Sequence, residues 1–296
     1  MNSDLDLDLA CHLNVLAADT EPAALGRALA TLADLGYRRA VLPPLDPAAT
    51  DAVEVRAVFA AHGIVPITIA GQGAGADVSS DDPAEAAAGE AALRAALKLT
   101  VALGSDQMNG VPYGLFGHAT SPVAAARFDR AARAVGRVAD EAHERGVMMT
   151  FEVLNRYETS TLNTAEQAMD FVDRSGSAHL RIHLDTFHMT VEEADPSAAV
   201  RTALPKLGYL ELGQSGRGPL GSGAIDLPAL IAQALDDGYA GRWGVEAFSR
   251  SILMEPVADM LAIWRSPFQD GGALAEDALH VIRRGWSHSV AAHRRR

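Results

Sequence analysis

The chain has 296 residues, of which 48% are hydrophobic, so it is long enough to bury one large core. Its formal net charge of −13 argues against nucleic acid as a partner, because the phosphates would be repelled. A single cysteine, Cys11, excludes an intrachain disulfide and a zinc site built from several cysteines.

Strand-like and helical segments alternate along the whole chain. Short apolar runs predict eight strands, at residues 7–15, 40–42, 65–69, 107–111, 147–153, 180–184, 209–212 and 243–245. Ala-rich segments between them predict helices at residues 22–35, 52–62, 83–103, 124–145, 164–175, 196–204 and 227–237, and a last helical region at 257–284. Eight strands that are each followed by a helix are typical of a closed parallel barrel. We therefore predict an α/β fold that is a single (β/α)8 TIM barrel.

Proline and glycine mark the ends of the predicted helices. Three helices are expected to begin at a capping residue followed by proline, at Asp82-Pro83, Ser121-Pro122 and Asp195-Pro196. Four are expected to end at a glycine, at Gly36, Gly63, Gly146 and Gly238. No linker-like segment interrupts the pattern. We predict one domain over residues 1–296, with short unstructured termini at about 1–5 and 289–296.

An open doubly wound sheet is the alternative fold. Its usual marker is a G-x-G-x-x-G motif directly after the first strand. That motif is missing, because the first strand leads into Leu16-Ala17-Ala18-Asp19. The glycines of residues 71–75 follow the third strand instead and belong to a predicted long loop, residues 71–80, over the rim of the barrel. The barrel is therefore the favoured architecture.

The fifth to the eighth predicted strands each end in a carboxylate, at Glu152, Asp185, Glu211 and Glu246. In a TIM barrel the carboxyl ends of the strands meet at the rim that carries the active site. Clustered carboxylates repel one another and need a cation. Hard oxygen ligands without cysteine favour Mg²⁺ or Mn²⁺, with Co²⁺ as a further candidate. We predict that these four residues bind one divalent metal ion; for any one acid alone, a salt bridge at a strand end is the alternative.

Several segments resemble the ketose 3-epimerases, the D-tagatose and D-allulose (psicose) 3-epimerases of the xylose-isomerase-like superfamily of sugar isomerases and epimerases. The similar segments include Glu152-Val153-Leu154-Asn155-Arg156-Tyr157-Glu158 and Leu184-Asp185-Thr186-Phe187-His188-Met189. The resemblance is specific over roughly residues 120–285 and is one of pattern alone in the amino half. It implies one divalent metal ion held by a Glu, an Asp, a His and a second Glu. Glu152, Asp185 and Glu246 match three of these ligands.

The same resemblance implies roles for the residues around the metal. Glu152 and Glu246 would be catalytic acid/bases on opposite faces of the sugar, and Glu158, His188 and Arg217 match residues that hold the substrate oxygens. Removing a proton next to a carbonyl needs a base near the carbon and a cation on the oxygens, which together stabilise an enediolate. We therefore predict a metal-dependent epimerase or isomerase of a ketose or related keto-sugar.

Two positions depart from the family pattern. The histidine ligand of the family falls at Glu211, and four carboxylates around one divalent ion leave a formal excess of two negative charges. Glu211 either binds the metal or turns away, and we predict that it binds. His183 stands where these epimerases commonly carry glutamine, and it either contacts the substrate or fills the barrel interior; we predict that it binds substrate. His12, on the first strand, is a further residue whose side chain is a candidate to face the barrel mouth.

Two other functions stay open. One is a lyase acting on 3-keto-glycosides, since the C-glycoside deglycosidases resemble the same barrel and work with a small partner subunit. The other is a catalytically silent binding barrel, which the loss of the ligand histidine supports and the retention of Glu152 and Glu246 opposes.

The partners and compartment follow from the composition. We expect a small-molecule sugar substrate, no nucleic-acid or membrane partner, and a homo-oligomer, either a dimer or a tetramer. The N-terminus lacks the basic and apolar segments of a signal peptide, and no run of 18 apolar residues predicts a membrane span. The sequence therefore predicts a cytoplasmic protein.

Overall fold

The computed structural model describes residues 7–294, and its eight parallel strands form one sheet in the order β1 to β8. The strands are β1 (Ala10–His12), β2 (Arg39–Val41), β3 (Val65–Gly71), β4 (Gln107–Val111), β5 (Met148–Val153), β6 (Arg181–Asp185), β7 (Leu207–Leu212) and β8 (Arg242–Val245). A parallel bridge between Leu9 and Trp243 brings the first strand against the last. The sheet therefore closes into a barrel, which confirms the predicted TIM-barrel fold. The tail expected at residues 1–5 lies outside the described residues.

Helices alternate with the strands and cover the outside of the barrel. They are α1 (Pro22–Leu35), α2 (Ala52–His62), α3 (Pro83–Ala102), α4 (Ala125–Glu144), α5 (Ala165–Ser175), α6 (Thr186–Glu192), α7 (Pro196–Ala203), α8 (Leu227–Asp236), α9 (Glu255–Met260), α10 (Gly271–His288) and α11 (Val290–Arg294). Helix α6 was not predicted, and the single region expected at 257–284 is two helices, α9 and α10. None of the helices within residues 7–294 is long and apolar enough to span a membrane.

Capping explains most of the helix boundaries. The side chain of Asp82 accepts a hydrogen bond from the Ala84 N–H at 2.8 Å, and Asp195 accepts one from the Ser197 N–H at 2.9 Å, so both predicted N-caps are confirmed. The predicted Ser121-Pro122 start is wrong, because α4 begins at Ala125 without a side-chain cap.

The C-terminal stretch expected to be unstructured contains a short helix. The Ser289 hydroxyl accepts a hydrogen bond from the Ala292 N–H at 3.1 Å, and the Ala291 N–H donates to Asp236 at 2.9 Å. These bonds attach α11 to the end of α8. The expectation for residues 289–294 is corrected accordingly, since local polar groups tie down a segment whose sequence carries no strong periodicity.

Ala10, Val41, Ile67 and Tyr209 form a small buried apolar cluster. Acids and histidines lie toward the carboxyl ends of β5 to β8, at Glu152, His183, Asp185, Glu211 and Glu246. His12 of β1 joins them through its contacts with Glu211 and Glu246. The polar chemistry is therefore concentrated at the carboxyl rim.

Ion pairs close the amino end of the barrel. Arg39 Nε lies 2.8 Å from Asp8 Oδ1, and Arg242 Nη2 lies 2.7 Å from Asp106 Oδ2. Burial opposes the charge on Arg39, but its hydrogen bonds to Asp106 and Asp8 raise its pKa. The network ties together the end of the barrel opposite the acidic rim.

Candidate active site

The carboxyl ends of β5 to β8 bring the four predicted acids to one rim. Asp185 on β6 pairs in register with Glu211 on β7, and Glu211 pairs with Gly244 on β8. A Cβ atom at Gly244 would lie 2.5 Å from Glu211 Oε1, so the glycine leaves room for this carboxylate. Asp185 and Glu211 are fully buried, and Glu246 follows directly after β8. The predicted convergence of these side chains is present.

Glu211 lies between two histidines. Its Oε1 is 2.9 Å from His12 Nε2, and its Oε2 is 3.2 Å from His183 Nε2. His12 also approaches Glu246, with Nδ1 3.5 Å from Oε1. Burial acts to raise the pKa of Glu211, but the charges and hydrogen bonds of these two imidazoles hold it well below its usual range. Imidazoles thus balance the carboxylate that replaces the family's histidine.

His188 contacts the acids on the other side of the rim. Its Nε2 lies 3.5 Å from Glu152 Oε1, 3.7 Å from Asp185 Oδ2 and 3.9 Å from Glu158 Oε2. Its Nδ1 accepts a hydrogen bond from the Asn155 N–H at 3.1 Å. An accepting Nδ1 places the proton of the neutral ring on Nε2, which then points a donor at the carboxylates.

Arg217 is clamped beside the acids by aromatic rings. Its guanidinium lies 4.0 Å from the ring centroid of Phe187 and 5.0 Å from that of Phe248, within the range of cation–π contact. Its Nη1 contacts Glu246 and lies 3.4 Å from Asp185 Oδ2. The backbone of Arg217 has a φ of 54°, a left-handed conformation that is uncommon for a residue with a side chain. The structure therefore holds this positive charge in a defined place at the barrel mouth.

The predicted substrate-binding residues fall into two places. Glu158, His188 and Arg217 meet at the rim, where Arg217 Nη2 lies 3.5 Å from His188 Nε2. His183 lies apart from them, against Glu211 and edge-on to the Tyr209 ring at 4.8 Å, and it is only 1% exposed. The first three residues are positioned to face a ligand that enters the mouth, whereas His183 belongs to the buried layer around Glu211.

The two predicted acid/base residues have opposite electrostatic surroundings. Burial, together with the charges of Glu211 and Asp185, raises the pKa of Glu246 to about 7 against the opposing effects of Arg217 and His12. Burial also acts to raise the pKa of Glu152, but His183 and His188 lower it below its ordinary value. In the metal-free protein near neutral pH, Glu152 is therefore ionised while Glu246 can hold a proton, a division suited to a base and an acid.

The donor set fits a divalent metal ion. Within the described residues, three overlapping groups have ligand atoms within 4.8 Å of one another: His12 with Glu211 and Glu246, Glu152 with Asp185 and His188, and Glu152 with His183 and Glu211. Carboxylate oxygens with imidazole nitrogens suit Mn²⁺, Mg²⁺ or Co²⁺. The Oε2 atom of buried Glu211 lies 3.2 Å from His183 Nε2 without an aligned hydrogen bond, so it retains lone pairs for a cation.

We expect the metal-free protein to lose stability as the pH rises from about 6.5 to about 9. Burial alone would lower the pKa of His12, but Glu211 and Glu246 raise it from 6.5 to about 9. The folded state therefore binds this proton more tightly than the unfolded state does. The resulting stabilisation is fully present below pH 6.5 and is lost as the pH rises through 9. Urea unfolding across this range should give a smaller pH dependence for His12→Gln than for the wild type; equal dependences would contradict the ion pairs of His12.

Asn155, Phe187 and Phe248 are site residues for which the sequence patterns predicted no role. Asn155 orients His188, and its Nδ2 also donates to Glu158 Oε1 at 3.0 Å. The two phenylalanines hold Arg217. Each of the three is close in sequence to a predicted site residue, and this was the only signal in the sequence that could have identified them. Their contacts with His188 and Arg217 join segments that are distant in the chain.

Known proteins of the same fold resemble this chain over almost its full length. Residues 29–284 match the family described as xylose isomerase-like TIM barrel. The ketose 3-epimerase of Arthrobacter globiformis is 33% identical over 277 residues, which cover 94% of this chain and 96% of that protein. The L-ribulose 3-epimerase of Mesorhizobium japonicum is 36% identical over 275 residues, with 93% and 92% covered. The crystal structure of a D-allulose 3-epimerase from Methylomonas sp. in complex with D-allulose has a TM-score of 0.89 at 32% identity, with 94% and 96% covered.

Proposed function

Because this chain belongs to the xylose isomerase-like TIM barrel family, we propose that its reaction is the C3 epimerisation of a free ketose. The protein is an enzyme of the sugar epimerase and isomerase class, and it depends on a divalent metal ion. Ketose 3-epimerase relatives that match over nine-tenths of the chain support this reaction over a keto-glycoside lyase or a silent barrel.

The observation that carries the proposal is the contrast between the electrostatic surroundings of the two acids, which lower the pKa of Glu152 and raise that of Glu246 to about 7. The two residues stand at β5 and after β8, so they lie three strand positions apart around the rim. In one direction ionised Glu152 takes the proton from C3, and protonated Glu246 delivers a proton to the opposite face of that carbon. In the reverse direction the two residues exchange roles. A pair of acids whose pKa values are pushed apart is what such a two-base reaction needs.

Glu158, His188 and Arg217 hold the substrate oxygens in this proposal. His188 presents its Nε2 proton, and Arg217 presents N–H donors that are fixed by Phe187 and Phe248. These donors stabilise negative charge that develops on the substrate oxygens during proton transfer. The carboxylate of Glu158 accepts from sugar hydroxyls.

Glu152, Asp185, Glu211 and Glu246 are the oxygen ligands that we propose for the metal ion, which we propose to be Mn²⁺ or Mg²⁺, with Co²⁺ as an effective substitute. When bound, the ion supplies Lewis-acid stabilisation to the substrate's carbonyl and neighbouring hydroxyl oxygens. Glu152 and Glu246 would then combine a ligand role with the acid/base role.

A ketose panel tests this function. The Mn²⁺-loaded enzyme should convert pentuloses or hexuloses into their C3 epimers, as followed by chromatography and by proton NMR. In deuterium oxide, deuterium should enter at C3. Products that are aldoses, or deuterium that enters at C1 alone, would show an aldose–ketose isomerase and would refute C3 epimerisation.

We further propose that the enzyme is a homo-oligomer, a dimer or a tetramer. The segment after β8 exposes three large apolar side chains, with Trp264 66%, Met260 60% and Met254 47% exposed. An apolar surface of this kind commonly marks a protein–protein contact. Sedimentation that gives the monomer mass at micromolar concentration would contradict association.

A further inference from the structure

Positions 183 and 211 both differ from the pattern that the resemblance to the ketose 3-epimerases implies. That resemblance implies a histidine ligand at 211 and commonly a glutamine at 183, and this chain has Glu211 and His183. The two residues are on the neighbouring strands β7 and β6, and His183 Nε2 lies 3.2 Å from Glu211 Oε2. An imidazole therefore still lies beside the position of the family's nitrogen ligand, but it comes from the adjacent strand.

His183 has unused ligand capacity in a buried place. It is 1% exposed, and neither of its ring nitrogens has an aligned hydrogen-bond partner. A buried polar group without a partner is destabilising, and a metal bond would offset that cost. The edge-on ring of Tyr209 at 4.8 Å helps to fix the orientation of the imidazole.

The surrounding oxygen donors complete a possible ligand set. Donor atoms of Glu152, His183 and Glu211 all lie within 4.8 Å of one another. Ligand atoms that are each about 2.0–2.2 Å from one cation are separated by no more than about 4.4 Å. Small side-chain adjustments therefore suffice to place these three donors around a single ion.

The other two histidines are less suited to metal ligation. The Nδ1 atom of His188 accepts from the Asn155 N–H, so the proton of the neutral ring is on Nε2, which faces Glu152 at 3.5 Å. His12 directs one ring nitrogen toward Glu211 at 2.9 Å and the other toward Glu246 at 3.5 Å. That arrangement suits an imidazole that bridges two carboxylates. Both ring nitrogens of His183 lack an aligned hydrogen-bond partner, as Nε2 of His12 also does, and His183 lies beside Glu152 as well as Glu211.

We propose that His183 is a metal ligand of this enzyme and replaces the nitrogen donor that the family carries at position 211. This inference rests on the metal-dependent function proposed above. With His183 and Glu211 both bound, the site would keep one imidazole ligand and gain a carboxylate. It would therefore carry more negative charge than a site with a histidine at position 211.

Electron spin echo spectroscopy of the Cu²⁺-loaded full-length enzyme tests the assignment directly. The wild type should show the ¹⁴N modulation of a coordinated imidazole. His183→Gln should lose that modulation, and its Mn²⁺ affinity in calorimetry should fall at least about tenfold, since the loss of a supporting outer group alone costs about that much. The matched variant His12→Gln, which removes the other imidazole in contact with Glu211, should retain the modulation.

Restoring the residues that the resemblance implies at both positions gives an independent measurement. The double variant His183→Gln/Glu211→His should regain both the ¹⁴N modulation and the Mn²⁺ affinity that His183→Gln loses. Modulation that persists in folded His183→Gln, or that is absent from the metal-loaded wild type, would overturn the ligand assignment and leave the proposed reaction intact. A wild-type enzyme that binds no divalent metal but epimerises ketoses would overturn the metal-dependent function itself.

Discussion

Glu152→Gln and Glu246→Gln are each expected to lower turnover at least about a hundredfold, the lower end of what a positioned acid/base residue contributes. Glutamine keeps the size of the side chain but cannot exchange a proton with the substrate carbon. Steady-state turnover on the best substrate of the ketose panel is the measurement. Full activity of either variant would exclude the role assigned to that residue.

Two controls separate this catalytic loss from other effects. Glu255→Gln changes a glutamate whose side chain is 80% exposed on α9, and it should retain activity and melting temperature. Metal content should be measured in both active-site variants, because each residue is also a proposed ligand. A variant that is saturated with metal and still inactive isolates the acid/base contribution.

Removal of the metal is expected to abolish activity and to lower the melting temperature. A ligand that binds the native state alone stabilises it by about 2.7 kcal/mol at a concentration one hundred times its Kd. For a domain of this size that corresponds to a shift of roughly 4 °C. Calorimetry with EDTA and then with excess Mn²⁺ measures the difference, and activity that returns on Mn²⁺ addition confirms reversibility.

Variants make the metal experiment specific to the proposed site. Asp185→Asn removes one ligand charge and should show a smaller rise in melting temperature on Mn²⁺ addition than the wild type. Addition of Mg²⁺ and Co²⁺ in place of Mn²⁺ ranks the metals by their stabilisation. Unchanged melting and full activity after exhaustive chelation would refute the metal-dependent reaction.

The presence of Glu211 beside His183 also affects how strongly a bound metal ion would act as a Lewis acid. An added carboxylate weakens the metal as a Lewis acid, because it donates more charge to the ion. Arg217 and the Nε2 proton of His188 lie at the mouth, where they supply positive charge to the substrate oxygens. The balance of charge in this site therefore depends on side chains around the metal as well as on its ligands.

The barrel and most of its elements followed from local sequence signals. The predicted bounds of α1 and α2 agree with the structure, since Pro22 begins the first helix and Gly36 and Gly63 end the two helices in the left-handed conformation. The short helix α6 was not predicted. It follows β6 directly, and its N-cap is Asp185 itself, whose side chain accepts from the Phe187 N–H at 2.8 Å.

The sequence by itself determined that four acids stand at the ends of β5 to β8, because a buried parallel strand followed by a polar loop is a local pattern. The tertiary structure alone decided which side chains meet those acids. Barrel closure brings His12 of β1 into contact with Glu211, which is on β7, and with Glu246, which follows β8. The pairing of β6 with β7 sets His183 against Glu211. The protonation of these groups depends on such contacts between distant segments, since burial and neighbouring charge, rather than residue type, set a pKa.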